Sequence, residues 1–237
     1  MKRFILALAC VAAALALVET DPASAKAGAD QQVGLSAQPA TSEPHHKRLL
    51  YTNDVRVFDV IVAPGQNASA LHDHDMATLV LGNGTLGITR NGQPIATRGP
   101  LEIGSVSITD QTGAPSTFRI ENAGTTDFHA IEVENMRDDG KWLMPQIIMA
   151  PGTSLLTQSR AFTVYDVKLS ADQTTRHEHA WSTIAVLLSG AIEQGGIGGE
   201  EPARLRGGGQ WLTLPRAQAH TLAAIGGDAH VVEIEAR

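Results

Sequence analysis

This 237-residue chain has a single cysteine, Cys10, and it lies in an N-terminal stretch patterned for removal. Lys2-Arg3 form a positive start, Phe4 to Val18 an apolar run, and Ala23-Ser24-Ala25 a small-residue cleavage site. That is the layout of a secretory signal. The apolar run is about fifteen residues, short of the roughly 20 that span a bilayer. The sequence therefore predicts an exported protein, periplasmic or secreted, that loses residues 1–25. Without Cys10 there is no disulfide, no thiolate nucleophile and no thiolate metal ligand. Any metal must be held by nitrogen and oxygen.

Aromatic residues are scarce too, at 4%, so a core must rest on Val, Ile, Leu and Ala. Charged residues make up 18% against 43% hydrophobic, a balance that suits a packed globular chain and excludes a disordered one. The formal charge is −7. Signal removal takes away Lys2, Arg3, Glu19 and Asp21, two charges of each sign, and leaves that value unchanged. There is no basic cluster beyond His45-His46-Lys47-Arg48, so nucleic acid is not an expected partner. After the signal no segment carries a 3.6-residue apolar stripe. No membrane contact is expected of the mature chain, and the sequence is compatible with a homodimer.

What the chain does have is short alternating runs broken by Gly, Pro and Asn turns, such as Gly82-Asn83-Gly84, Asn91-Gly92 and Gly198-Gly199. The runs recur. Val57-Phe58-Asp59-Val60 corresponds to Val164-Tyr165-Asp166-Val167, and His129-Ala130-Ile131-Glu132-Val133-Glu134 to His230-Val231-Val232-Glu233-Ile234-Glu235. His72-Asp73-His74 followed by Thr78 is matched to His177-Glu178-His179 followed by Thr183. So long a period suits a duplicated domain rather than a solenoid. The predicted class is all-β. Expected boundaries are 1–25 signal, 26–48 flexible linker, 49–136 first barrel, 137–154 connector and 155–237 second barrel.

His177 and His179, one residue apart in a strand, point to the same side, and Glu178 points to the other. His220, after Pro215, brings a third imidazole from a distant strand. These residues, with Gly190 and Gly209, resemble the two motifs of the cupin superfamily. Thr183 stands where the family usually has its glutamate, and Ala217 and Ala224 replace a glycine and an asparagine. The resemblance implies two tandem jelly-roll barrels, a bicupin. It also implies one divalent transition metal, with Fe, Mn, Zn and Ni indistinguishable, ligated by His177, His179 and His220.

Without the glutamate, such a site would carry a charge of +2 and favour an anionic or chelating small organic ligand. Thr183 is expected to hydrogen-bond around the metal and Trp181 to wall the pocket or join the core. In the first copy, counting back from Asn122 puts Phe118 at the third histidine's place. His72, His74 and Thr78 therefore read as a weak or vestigial site. Glu132 and Glu233 are assigned by default to the solvent face, with the barrel interior as the alternative. His45 and His46 are assigned to a solvated tail, and His129 and His230 to structural roles. The resemblance implies a dioxygenase-like oxidoreductase, with isomerase or lyase chemistry less favoured. The rival is a non-catalytic periplasmic protein that binds metal or small molecules. No catalytic residue can be named.

Overall fold

The computed structural model describes residues 37–98, 101–111, 114–137, 147–195 and 201–237. The signal at 1–25, half of the connector (138–146) and the Gly198-Gly199 turn lie outside the described residues. Among the described residues all regular structure is β. The first half has β1 (Gln38–Pro39), β2 (His46–Tyr51), β3 (Val55–Val62), β4 (Asn67–His72) and β5 (Met76–Gly82). It continues with β6 (Leu86–Arg90), β7 (Gln93–Arg98), β8 (Val106–Thr109), β9 (Ser116–Asn122) and β10 (Phe128–Asn135). The second half has β11 (Thr153–Gln158), β12 (Phe162–Leu169), β13 (Thr174–Glu178), β14 (Thr183–Ser189) and β15 (Ile192–Gly195). It ends with β16 (Ala203–Leu205), β17 (Trp211–Leu214), β18 (Ala219–Ala224) and β19 (Ala229–Ala236).

Each half is a pair of sheets. In the first, the order β2-β3-β10-β5-β8 faces β1-β4-β9-β6-β7. In the second, β11-β12-β19-β14-β17 faces β13-β18-β15-β16. Between the two sheets of the first barrel lie Phe58, Val60, Val62, Leu86 and Phe128. Tyr165, Val167, Leu187, Ile192, Leu214 and Leu222 fill the second. The segment 26–48, read as linker, in fact supplies β1, which pairs parallel with β4, and the start of β2, which pairs with β3.

The outer faces of the sheets β2-β3-β10-β5-β8 and β11-β12-β19-β14-β17 are covered at their centres. Val55, Val57, Leu79, Ile131 and Val133 of the first half share one buried cluster with Phe162, Val164, Ile184, Val232 and Ile234 of the second. Successive residues of β12 therefore alternate between two hydrophobic environments. Phe162 and Val164 meet the other barrel, while Tyr165 and Val167 line their own. Such strands are apolar on both parities, which is how a sheet covered on both faces reads. Polar contacts fasten the same seam. Asn135 Nδ2 donates to the carbonyls of Ala161 (3.0 Å) and Arg237 (2.6 Å), and Ser182 Oγ donates to Asp54 Oδ2 at 2.7 Å.

Turns set the strand ends of the second barrel. Gly190 has φ of 79°, and a Cβ there would collide with the Asp228 carbonyl oxygen. Only glycine meets both demands. Ala217, in the position where the motif usually has glycine, keeps a left-handed φ of 54° and donates its N–H to the His179 carbonyl at 2.7 Å. The bend survives the substitution, with alanine bearing a steric cost on the order of 1 kcal/mol.

Candidate metal centre

β13 and β18 run antiparallel with His177 directly opposite His220. Thr175 and His177 are buried while Thr174, Arg176 and Glu178 are exposed, the alternation expected of a strand with one face on a core. His179 follows immediately and is completely buried, as is His220. The three imidazoles form one cluster, with His177 4.4 Å from His220 and 5.0 Å from His179 by ring centroids.

The fourth member is Glu233, and it overturns the default assignment to solvent. It projects from β19 on the opposite sheet and is fully buried. Its Oε2 lies 3.0 Å from His177 Nε2 and 3.4 Å from His179 Nε2, and its Oε1 lies 3.8 Å from His220 Nε2. His177 Nε2 and His220 Nε2 are 3.2 Å apart. For bonds near 2.0–2.1 Å, a tetrahedral ion sets its donors roughly 3.3 Å apart. Four donors of the right type thus surround one point at coordination-polyhedron spacing. His179 Nε2 is buried and faces the same point. These residues fit a divalent transition ion. Burial by itself would push the Glu233 carboxyl up, but His177, His179 and His220 together hold it well below the usual carboxylate range. Glu233 is therefore an anion, and with a divalent ion the site carries +1, not the +2 deduced without it.

Thr183 is buried but lies off this cluster. Its hydroxyl donates to the Trp181 carbonyl at 3.1 Å, and across the ladder it faces Glu235, while Glu233 faces Ala185. The carboxylate usual at the Thr183 position thus has a counterpart on the neighbouring strand. Burial raises the Glu235 carboxyl, and Glu235 accepts the Trp181 N–H at 3.1 Å. Trp181 is half-buried, with the guanidiniums of Arg137 and Arg216 at 4.5 and 5.7 Å from its ring. Glu178 points outward.

The first barrel differs from its expected form. Ala70 pairs with Phe118 as His177 pairs with His220, and Thr78 faces Glu132 as Ala185 faces Glu233. The ladders therefore align His72 with His179, Ala70 with His177 and Met76 with Thr183. The sequence match of the two His-x-His runs was two residues out of register. A shift of two keeps every side chain on its face, so alternation alone does not distinguish the two registers.

His74, half-buried, is turned to Asp73 (Nδ1 to Oδ1, 2.6 Å) and to Arg56. Thr78 is half-buried, opposite Glu132 and Ser107 across its two ladders. Of the vestigial trio only His72 is in the pocket, with Nδ1 2.8 Å from Glu134 Oε1 and a ring edge against Phe118. Glu132 is buried there as well, again contrary to the solvent assignment.

His46 was assigned to the tail and is instead buried, its Nε2 3.2 Å from Glu132 Oε2 and its Nδ1 2.6 Å from Glu43 Oε2. Burial opposes its protonation, yet Glu132 and Glu43 outweigh that and raise it to about 9. Burial likewise acts to raise Glu43, and His46 with His45 takes it down to about 2. His129 and His230 sit outside both clusters, each paired with the aspartate of the repeated Val-Phe/Tyr-Asp-Val run, Asp59 and Asp166. A groove of about 280 Å³ lined by Ile88, Pro94, Arg119 and Glu121 lies on the first barrel and includes none of the clustered histidines or carboxylates.

No family model matches this sequence, and no curated protein matches it. Solved structures do. A cupin 2 conserved barrel domain protein from Leptotrichia buccalis is similar at 13% identity and a TM-score of 0.54, covering 81% of this chain and 88% of its own. AerE from Microcystis aeruginosa is similar at 14% and 0.56, covering 82% and 98%. A salicylate 1,2-dioxygenase from Pseudaminobacter salicylatoxidans is similar at 13% and 0.58, covering 80% and 75%. At such identities the likeness is one of fold, and together with the paired sheets it establishes the architecture: an all-β chain of two tandem barrels of the cupin type.

Proposed function

We propose that this chain is an exported, metal-dependent protein whose second barrel holds one divalent ion through His177, His179, His220 and Glu233. We propose further that it acts on a small chelating organic substrate in the manner of a non-haem dioxygenase. The observation that carries the reading is the buried set of three imidazoles and one carboxylate around a single point. A bound ion would supply Lewis acidity and open coordination positions for an oxygen-bearing ligand.

The chain's own part is positioning. β13 and β18 hold the imidazoles, β19 presents the anion, and the enclosed pocket keeps bulk water out. Arg137 and Arg216 against Trp181 add positive charge next to the cluster, which supports an anionic ligand. The salicylate dioxygenase neighbour has been solved with gentisate, a ligand of that class. A second reading, metal or ligand binding without turnover, is favoured by the enclosure itself. The side chains of His177, His179, His220 and Glu233 are only 3%, 0%, 0% and 0% exposed.

The two readings part on one preparation. Mature protein loaded with Fe²⁺ or Mn²⁺ is expected to consume oxygen with at least one of gentisate, salicylate, a β-diketone or a hydroxy acid. Metal retained with no oxygen uptake across that panel would favour the binding protein. Failure of the second barrel to retain any metal would overturn both. Export rests on the N-terminal pattern alone. Protein recovered from the native envelope is expected to begin near Lys26, and an intact mass that includes residues 1–25 would refute it.

A further inference from the structure

We propose that the first barrel carries a second divalent-metal site, built from His46 Nε2, His72 Nε2 and Glu132 Oε2. It lies outside the four-donor centre of the second barrel and uses a ligand that has no counterpart there. By ladder register His46 faces Val60 in β3 as Thr153 faces Val167 in β12, so a histidine from the start of β2 takes a place that the second barrel gives to threonine.

The geometry has three parts. The donor atoms lie within 4.8 Å of one another, with His46 Nε2 at 3.2 Å and His72 Nε2 at 3.9 Å from Glu132 Oε2. All three side chains are at most 2% exposed. His46 Nε2 and Glu132 Oε2 face each other at 3.2 Å as a buried imidazole–carboxylate pair. An ion bound between them would take the place of the proton that they share.

The second part is what holds the rings. His46 Nδ1 is bound to Glu43 Oε2 at 2.6 Å, and His72 Nδ1 to Glu134 Oε1 at 2.8 Å. A carboxylate on Nδ1 keeps a proton there and leaves Nε2 as the nitrogen turned inward, which is how metal-binding imidazoles are ordinarily oriented. Both histidines have this support, from carboxylates on different elements.

The third part is charge. The neighbouring group of Asp73, His74 and Glu134 is already engaged by Arg56, which lies 2.8 Å from Asp73 and 3.0 Å from Glu134. It has no need of a cation. Among the described residues no arginine or lysine pairs with Glu132, and a divalent ion would satisfy it together with both imidazoles. Two imidazoles and one carboxylate leave several coordination positions open, a set suited to Fe²⁺, Co²⁺ or Zn²⁺. Phe118 and Phe58 set ring edges against His72 and His46 and give the site apolar walls.

The test uses the mature full chain, stripped with chelator and titrated with Co²⁺, with bound metal and visible absorption read together. Wild type is expected to bind two ions per chain. His177→Ala/His220→Ala should retain one. Adding His46→Ala or Glu132→Gln to that background should weaken the remaining ion at least tenfold, whereas adding His74→Ala should leave it. Retention of that ion after both His46→Ala and Glu132→Gln, or one ion in wild type that depends only on His177 and His220, overturns the site. One ion that depends on His46 alone would uphold it and count against the second-barrel centre, so the two proposals fail separately. Should the His46 or Glu132 variants not fold, anomalous diffraction from Co²⁺-loaded wild type decides. A peak among these three atoms is expected, and a peak confined to the second barrel refutes the inference.

Discussion

Glu233→Gln is expected to lower the affinity of the second barrel for a divalent ion by at least about 100-fold, with the fold intact. Loss of an outer hydrogen-bond partner to a metal ligand already costs roughly 10–100-fold, and Glu233 is placed as a ligand itself. Among the described residues it is the one carboxylate within reach of all three imidazoles, at 3.0, 3.4 and 3.8 Å. Glutamine keeps the shape and removes the charge, so the change isolates electrostatics from packing. Two controls sharpen the reading. Thr183→Ala should leave affinity unchanged, because its hydroxyl serves the Trp181 carbonyl. Glu235→Gln should have a small effect, because Glu235 is occupied with the Trp181 N–H. Calorimetric titration of the stripped proteins reads all three. Wild-type affinity in Glu233→Gln would remove this glutamate from the centre.

Phe162→Ala should destabilise the protein by about 3–5 kcal/mol, the cost of emptying a large aromatic site in a core, and should destabilise both barrels together. Phe162 is completely buried in the cluster shared by Val57, Leu79 and Val133 of one half and Val164 and Ile234 of the other. A cavity there loosens the seam, not one barrel's interior. Hydrogen exchange distinguishes the cases, because units that open together share one opening free energy. In wild type, amides of β3 and β10 should exchange with the same free energy as those of β12 and β19, and Phe162→Ala should lower both sets alike. Protection lost in β12 and β19 while β3 and β10 remain at the wild-type level would show two independent units instead.

The sequence by itself determined the class, the histidine face and the duplication. Strand periodicity places His177 and His179 on one side whatever the fold around them, and Ser189-Gly190 marks the end of a strand. Those are local rules, acting over a few residues. Three features depended on contacts between distant strands.

Glu233 could not be assigned from its own strand. β19 is buried on both faces, one against the partner barrel and one inside its own, so its pattern of apolar neighbours does not say which face is which. His46 lies in a stretch whose composition reads as linker, and only its pairing with Val60 across β2 and β3 buries it. The correspondence between the two His-x-His runs was displaced by two residues, because alternation fixes the face of a side chain and leaves its register to the hydrogen-bond ladder. Parity belongs to the chain. Register, and with it the set of four donors, belongs to the paired sheets.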